Sequence, residues 1–415
     1  MSRFLFVVPP VAERVRPAVA VGRELAARGH DVAWAGHRGA LDDVPLGATV
    51  VPVGGAGHDD GVDIAAAHRI GSLRSPGDLL QLWGDFLVPL ARTMLPTVRA
   101  AVDGFGPDVV VADQQALAGA AVAHRAGLPW ATVVPTSAGL ADPLADLPKI
   151  RQQVRRQVRC FLVEAGLDDV AAARIDPQAS PHLVLACTTE ALAGPMSDSS
   201  SRYELVGPCL DPPLSGTGAD RRHLNLTRPL VVLAVEAPHA DPGARFQRAA
   251  VDAMSSTMAV RTVVVEQSDP PERWRALVRH AAVVICDGGH STVWAALGSG
   301  IPLVVVPLTG DQPLVAEQVV AAAAGIRLPA RSVDADLLGR AISTVLADDR
   351  IRRGAHRIRD SLVAAPGPAA AAGHLEALLD RPLPSPAELV EPADRSRPAP
   401  RSTTHRHRQR HLVAL

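Results

Sequence analysis

Valine-rich runs alternate with alanine-rich segments of helical length along most of the chain, and this alternation constrains the fold more than any other feature. The run FLFVV (4–8) precedes a helical pattern that ends at Gly29, and DVAWAG (31–36) follows as a second strand. The runs PDVVVAD (107–113) and WATVVP (130–135) repeat the arrangement. Because strands covered on both faces are continuously apolar, the pattern predicts an α/β protein with parallel sheets.

A second series of strand patterns begins after a segment rich in Pro, Gly and Asp, which we interpret as a linker (209–228). Its apolar runs are LVVLAV (230–235), TVVVE (262–266), AVVIC (282–286) and PLVVVP (302–307). Two α/β units joined by one linker predict an N-terminal domain (1–208) and a C-terminal domain (229–380). Beyond them Pro and Arg are frequent and apolar periodicity is lost, so we expect a disordered Pro/Arg/His-rich tail (381–415).

The composition argues against several classes of function. Of the 415 residues, 47% are hydrophobic and the formal net charge is −1, so the total charge gives no argument for binding nucleic acid or an acidic membrane. The four cysteines form no C-x-x-C pair, which argues against a disulfide scaffold or a structural zinc site. The first apolar run is too short for a secretory signal, and no run is long enough to span a membrane. We therefore expect a cytoplasmic protein.

Four loops follow the carboxyl ends of predicted strands, where doubly wound sheets bind their ligands. In the first domain these are the segment 9–17 and the loop that starts at Asp113. In the second domain they are DGGHST (287–292) and PLTGDQP (307–313). The candidate functional residues are therefore sought in these four places.

The loop DGGHST is typical of an anion site, although a simple turn is the alternative. Gly288 and Gly289 allow close approach of the backbone, and Ser291 and Thr292 fall in the first turn of a predicted helix. Their amides and hydroxyls, at the positive end of the helix, suit a phosphate. In the alternative, the glycines supply a tight turn and Ser291 caps the helix. The carboxylate of Asp287 stands directly before the glycines and disfavours an anion.

Two further groups are candidates for ligand contact. Asp311 and Gln312 supply carboxylate and amide groups that suit sugar hydroxyls, although a helix cap is the alternative. Trp83 and Phe86 recur at helical spacing within an apolar segment (79–95). Most residues of this kind face a core, but such a helix can also wall an apolar pocket.

The motifs occur in an order seen in one family. The chain contains VGRELAARGHDVAWAG, PDVVVADQQALAGAAVAHRAGLPWAT, VGP and GGHSTVWAALGSGIPLVVVPLTGDQPLVAEQVVAAAAG. Over roughly residues 3 to 380 it resembles the bacterial GT-B glycosyltransferases of the macrolide and aromatic polyketide type, related to UDP-glucuronosyl and plant glycosyltransferases. The resemblance implies two Rossmann-like domains facing each other across a cleft. It further implies that the N-terminal domain binds the acceptor and the C-terminal domain binds the nucleotide sugar.

In the first domain the resemblance implies a catalytic pair, with one departure from the family. The family pattern G-H-V-x-P, whose His removes the acceptor proton, is here ERVRP, so Arg14 stands at the base position. Arginine stays protonated and cannot accept a proton. The partner of that His corresponds to Asp113, which can pair with Arg14 or act as the base if burial raises its pKa. Pro10, Trp83 and Phe86 are the implied candidates for the acceptor pocket.

The donor side departs from the family as well. The usual Ser-Leu-Gly-Thr is replaced by AVEA, which contains Glu236, and the His before the Gly pair is replaced by Asp287. A unit charge about 4 Å from another costs on the order of 4 kcal/mol at an effective dielectric near 20, so both acids would oppose a diphosphate. The positions that remain as implied donor contacts are Gly288, Gly289, His290, Ser291, Thr292, Asp311 and Gln312.

Two hypotheses follow. In the first, the protein is an inverting glycosyltransferase that moves a hexose from a UDP- or dTDP-sugar to an apolar natural product, with Asp113 as base. In the second, it is a catalytically impaired GT-B pseudoenzyme that binds a ligand or assists a partner glycosyltransferase. We expect no cofactor beyond the nucleotide-sugar co-substrate, neither Mg²⁺ nor another metal, and we keep a homodimer as an option. A dinucleotide-dependent dehydrogenase is disfavoured because no strand precedes G-x-G-x-x-G.

Overall fold

A computed structural model describes residues 1–42, 44–45, 47–53, 75–196, 202–209, 228–235, 241–256, 260–265 and 277–380. The predicted tail (381–415), most of the predicted linker (210–227) and Glu236 lie outside the described residues. Among the described helices none has the length and apolar character needed to cross a membrane. The chain divides into two compact units, which are described separately.

The first unit contains a parallel sheet whose described strands run in the order β3-β2-β1-β4-β5-β6-β7. They are β1 (Arg3–Val7), β2 (Asp31–His37), β3 (Thr49–Val53), β4 (Val109–Asp113), β5 (Trp130–Val134), β6 (Leu183–Ala186) and β7 (Tyr203–Leu205). Its helices are α1 (Ala12–Ala27), α2 (Pro76–Gln81), α3 (Val88–Phe105), α4 (Leu117–Arg125), α5 (Pro148–Glu164) and α6 (Asp169–Arg174). A π-helical turn (Leu82–Leu87) joins α2 to α3, and short 3-10 turns follow β2 (Arg38–Leu41) and β5 (Ser137–Leu140).

Helices cover both faces of this first sheet, as continuously apolar strands require. Alternate residues of each strand point to opposite faces. On one face Val110 and Ala112 pack in a cluster with the residues of α3, α4 and α5. On the other face Val109 and Val111 pack with α1. The same alternation puts Asp113 on the face that α1 covers.

The second unit contains a parallel sheet whose described strands run in the order β12-β11-β10-β8-β9. They are β8 (Leu230–Ala234), β9 (Arg261–Val265), β10 (Val283–Cys286), β11 (Leu303–Val305) and β12 (Gly325–Arg327). The helices are α7 (Glu190–Ala193), α8 (Asp241–Ser256), α9 (His290–Gly298), α10 (Gln312–Ala321), α11 (Ala335–Ala347) and α12 (Asp349–Ala364). Two parallel sheets with helices confirm the predicted α/β class.

The last described helix, α13 (Pro368–Leu378), packs in the first unit, which corrects the predicted domain boundary at residue 380. Its apolar residues Ala371 and Leu375 lie in the same cluster as Phe4 and Phe6 of β1. Periodicity predicts that a helix has an apolar face, but it carries no information on which sheet that face covers. Among the described residues, the second unit therefore extends to Ala364.

All eight strands that the sequence predicted are present within a residue or two, whereas four short ones were missed. The missed strands are Thr49–Val53, Leu183–Ala186, Tyr203–Leu205 and Gly325–Arg327. Tyr203–Leu205 and Gly325–Arg327 are the outermost members of their sheets and have three residues each. Such short segments have no apolar period of their own, because pairing with a neighbouring strand forms them.

Candidate functional site

Arg14 and Asp113 form a buried ion pair where the strand order of the first sheet reverses. Strand β1 lies between β2 and β4, so the loops that leave β1 and β4 diverge at this point. Ligands of doubly wound sheets bind at such switch points. Arg14 Nε donates to Asp113 Oδ1 at 3.0 Å, and the side chains are 10% and 0% exposed. The structure therefore brings together the two residues that the sequence predicted as the catalytic pair.

The Asp113 carboxylate uses one oxygen and leaves the other without a hydrogen bond to any described group. Oδ1 also accepts from the backbone N–H of Gln115 at 2.7 Å. Oδ2 and Arg14 Nη2 are both buried, and neither has a partner among the described residues. Burial raises the pKa of the Asp113 carboxyl above its ordinary value, although the Arg14 guanidinium and the Gln115 N–H act in the opposite direction. The group is thus better suited to accept a proton than an exposed aspartate.

Two buried thiols lie near this pair and were not predicted as site residues. Cys187 follows β6, and Cys209 donates its thiol to the carbonyl oxygen of Gly207 at 3.8 Å. A hydrogen bond with Cys209, burial and the Asp113 carboxylate all raise the pKa of the Cys187 thiol. The Cys187 thiol therefore stays neutral and adds no charge beside Asp113. Isolated cysteines give no sequence signal for such a neighbourhood.

The predicted acceptor-pocket residues are all buried. Pro10 lies in the loop between β1 and α1, whereas Trp83 and Phe86 lie in the π-helical turn. Trp83 and Phe86 pack with Leu90 in the core cluster between the sheet and α3. This placement matches the core-facing alternative, and their role in an acceptor pocket stays a prediction.

The DGGHST loop follows β10 at the switch point of the second sheet, where β10 lies between β8 and β11. Asp287 is fully buried, and its Oδ1 accepts the N–H of Gly289 at 3.1 Å. Gly288 has a φ of +95°, a conformation that L residues with a side chain rarely adopt. The carboxylate thus caps a backbone N–H of its own loop.

His290 and Ser291 are the partly exposed side chains of this loop, whereas Thr292 is buried. The indole N–H of Trp294, one turn later in α9, donates to His290 Nδ1 at 2.9 Å. The two rings meet edge to face with centroids 5.5 Å apart. Because Nδ1 accepts, a neutral His290 carries its proton on Nε2. The role of Trp294 was not predicted, because an apolar residue in a helix is normally assigned to the core.

The PLTGDQP loop contacts the DGGHST loop. A Cβ atom at position 288 would lie 3.3 Å from Gln312 Cβ. Gln312 is buried, and its Oε1 accepts the N–H groups of Leu308 at 2.8 Å and Thr309 at 2.9 Å. Asp311 is partly exposed at the start of α10, and its side chain does not cap that helix. Gln312 therefore stabilises the conformation of its own loop, and Asp311 is the more exposed of the two.

Glu236, the remaining predicted donor residue, lies outside the described residues. Within the described ranges no group of three or more His, Cys, Asp or Glu side chains has the arrangement of a metal site.

Comparison with known proteins relates the chain to biosynthetic glycosyltransferases. Residues 273–378 match the family "Erythromycin biosynthesis protein CIII-like, C-terminal domain". The 4'-demethylrebeccamycin synthase of Lentzea aerocolonigenes is 27% identical over 407 residues, covering 88% of this chain and 96% of the relative. The demethyllactenocin mycarosyltransferase of Streptomyces fradiae is 27% identical over 411 residues, covering 91% and 87%.

Solved structures agree at the level of the fold. The calicheamicin glycosyltransferase CalG4 matches with a TM-score of 0.69 and 21% identity over 92% of this chain and 100% of its own. The spinosyn rhamnosyltransferase SpnG complexed with thymidine diphosphate matches with a TM-score of 0.67 and 21% identity, covering 91% and 100%. The chain is similar in sequence to natural-product glycosyltransferases and shares its fold with solved members of that group. The segment that matches this family (273–378) contains both loops of the second unit, DGGHST and PLTGDQP.

Proposed function

We propose that this GT-B relative transfers a hexose, with inversion, from a UDP- or dTDP-sugar to an apolar natural-product acceptor. The observation that carries the proposal is the buried carboxylate of Asp113 at the carboxyl end of β4, with one oxygen that has no partner among the described groups. The proposal assigns Asp113 the role of general base, in place of the histidine that the family resemblance implies.

The environment of Asp113 supports this role. An effective base needs a pKa closer to the working pH than that of an exposed aspartate. Burial moves the pKa of Asp113 in that direction. Arg14 cannot accept the proton itself, so it acts as the partner that orients the carboxylate through Oδ1 and leaves Oδ2 for the acceptor hydroxyl.

A single base leads to inversion. The acceptor hydroxyl gives its proton to Asp113 Oδ2, and its oxygen forms a bond to the anomeric carbon. The bond from that carbon to the diphosphate breaks, and the nucleoside diphosphate leaves with the bonding electron pair. Attack from the face opposite the leaving group inverts the configuration, whereas retention by covalent catalysis would need a second, nucleophilic carboxylate.

On the donor side we assign the diphosphate to the partly exposed edge of DGGHST. His290 and Ser291 supply donors there, together with the positive end of α9. Asp287 is buried, and its Oδ1 accepts the N–H of Gly289. Asp311 is assigned to sugar hydroxyls, with Gln312 bracing its loop. The solved relative complexed with thymidine diphosphate makes dTDP a reasonable first nucleotide to test.

One observation favours a second candidate, a GT-B pseudoenzyme that binds a ligand without transferring sugar. The Asp113 side chain is fully enclosed, so an acceptor reaches Oδ2 only after residues above the pair move. In the pseudoenzyme, the Arg14–Asp113 ion pair would be a structural element, and the acceptor would not reach it. The two candidates therefore differ in whether Asp113 contacts the acceptor.

Calorimetric titration of UDP and dTDP, with and without Mg²⁺, followed by assays of transfer from the corresponding sugars, tests the proposal. The glycosyltransferase predicts saturable nucleotide binding without Mg²⁺ and a product whose formation depends on Asp113. Absence of both nucleotide binding and transfer would overturn it. Nucleotide binding without transfer or sugar hydrolysis would favour the pseudoenzyme. A cytoplasmic location, a homodimer and a partner glycosyltransferase stay predictions.

A further inference from the structure

The buried pair of Arg14 and Asp113 contains two complementary atoms that the described protein does not use. Arg14 Nε and Asp113 Oδ1 are bonded at 3.0 Å, whereas Arg14 Nη2 and Asp113 Oδ2 have no partner among the described groups. Buried polar atoms without partners are rare because their desolvation is not compensated. An unused donor and an unused acceptor on the same ion pair point to a ligand group that both donates and accepts.

A hydroxyl meets both requirements. Its hydrogen is donated to Asp113 Oδ2, and its oxygen accepts from Arg14 Nη2. The guanidinium remains charged throughout, so positive charge lies beside the oxygen as the proton leaves. Preorganised positive charge at a developing oxyanion stabilises the ionised form most of all.

Among the described groups around Asp113, Arg14 provides the charge that acts on the acceptor oxygen. Helix α1 contributes Arg14, and the loop after β4 contributes the neutral N–H of Gln115. The loop after β6 contributes the Cys187 thiol, whose raised pKa keeps it neutral. Among the described groups that face Asp113, the guanidinium is therefore the one cation.

The acidity of the acceptor matters strongly for a carboxylate base. A phenol has a pKa of about 10 and water, close to an aliphatic alcohol, about 16. Each pKa unit corresponds to about a factor of 10. If about half of this pKa difference contributes to the activation free energy, transfer to an aliphatic alcohol is slower than transfer to a phenol by ~10³-fold.

We propose that the acceptor of this protein carries an acidic hydroxyl, a phenol or an enol, whose oxygen is held by Arg14 while Asp113 receives its proton. The inference rests on the proposed function, because it names the acceptor class of the same site. It assigns Arg14 a direct contact with the reacting oxygen, so the arginine also helps to recognise the acceptor hydroxyl.

The first experiment compares two acceptors of nearly the same shape. We expect transfer from dTDP- or UDP-glucose to 4-nitrophenol to exceed transfer to 4-nitrobenzyl alcohol, whose hydroxyl is aliphatic, by at least about 100-fold in kcat/KM. R14M removes the guanidinium and is expected to reduce this preference, while the part that comes from the greater acidity of the phenol remains. R16M, an exposed arginine on the same helix, is the matched control and is expected to retain it.

The second experiment needs no turnover. Bound 4-nitrophenol reports its ionisation by absorbance, so its titration can be followed on the protein. A guanidinium at its oxygen favours the phenolate, and we expect the pH midpoint to be at least about one unit lower in the wild type than in R14M. R16M is expected to match the wild type.

The outcomes separate the inference from the proposed function. Comparable rates with both acceptors, or equal pH midpoints in wild type and R14M, would overturn the inference and leave glycosyl transfer standing. Loss of nucleotide binding and transfer altogether in the wild type would overturn the proposed function itself. A phenol preference that R14M reduces and R16M keeps would support both.

Discussion

Arg14 and Asp113 are 99 positions apart in the chain, yet Arg14 Nε lies 3.0 Å from Asp113 Oδ1 in a buried ion pair. The contact follows from topology, because β1 and β4 are parallel neighbours and their following loops leave the same edge of the sheet. A buried charge needs such a partner, and removal of either residue would leave the other charge uncompensated. The pair therefore links the fold of the first unit to the proposed chemistry.

Gly288→Ala is expected to destabilise the donor loop. The residue has a φ of +95°, and a Cβ would lie 3.1 Å from Val305 Cγ1, so strain of about 1–3 kcal/mol is expected. Gly298→Ala, at the end of α9, is the control, because nothing lies within 4 Å of its Cβ position. Urea unfolding and dTDP titration of both variants check this. Equal stability of the two variants would contradict it.

Trp294→Phe is expected to weaken nucleotide binding about fivefold, since it removes the hydrogen bond to His290 Nδ1, a contribution of roughly 1 kcal/mol. The phenyl ring keeps most of the packing. A double-mutant cycle with His290→Ala separates positioning from packing. We expect Trp294→Phe to have no further effect on affinity once His290 is absent. Additive losses would show that Trp294 acts independently of His290.

Asp287→Asn is expected to tighten binding of UDP and dTDP. The amide oxygen can still accept the Gly289 N–H, while the negative charge near the proposed diphosphate site is removed. A gain of about tenfold is the expected size for one charge at intermediate distance. Asp360→Asn, an exposed acid on α12, serves as control. Unchanged or weaker affinity in Asp287→Asn would show that the carboxylate does not oppose the nucleotide.

Glu376→Gln is expected to destabilise the packing of α13 against the rest of the first unit. Glu376 accepts from His30 at 2.9 Å and from Arg28 at 2.8 Å. The hydrogen bond from His30, and then that from Arg28, holds the pKa of Glu376 below its ordinary value of 4.5. These contacts therefore stabilise fully above pH 4.5, and their contribution is lost as pH falls through the lower pKa of the folded state.

Urea unfolding across pH measures this effect. At neutral pH we expect a loss of about 1 kcal/mol in the free energy of unfolding, and in acid the difference from wild type should vanish. Glu24→Gln, which removes a pair with Arg28 inside α1, is the control with a smaller expected loss of about 0.3–0.5 kcal/mol. A difference that persists in acid would contradict the assignment to the ionised Glu376.

Sequence patterns predicted the sheets and the site loops, but not the direction of individual side chains. Gln312 was predicted as a sugar ligand, yet its carbonyl oxygen is committed to two amides of its own loop. Asp287 was expected to face the anion, yet it is buried against Gly289. Motif spacing fixes which loop a residue occupies, whereas its orientation depends on hydrogen bonds that form after the loop has packed. For the same reason, the contact of Trp294 with His290 was not predicted.

The rate of sugar transfer by Asp113→Asn, followed across the pH range in which the protein stays folded, tests the central claim most directly. The amide keeps the shape of the side chain but accepts no proton, so we expect kcat to fall by about 10²- to 10⁴-fold with unchanged nucleotide affinity. In the wild type, kcat/KM should fall as pH drops through the raised pKa of Asp113, because the base must be ionised. Full activity of Asp113→Asn would contradict its assignment as the general base.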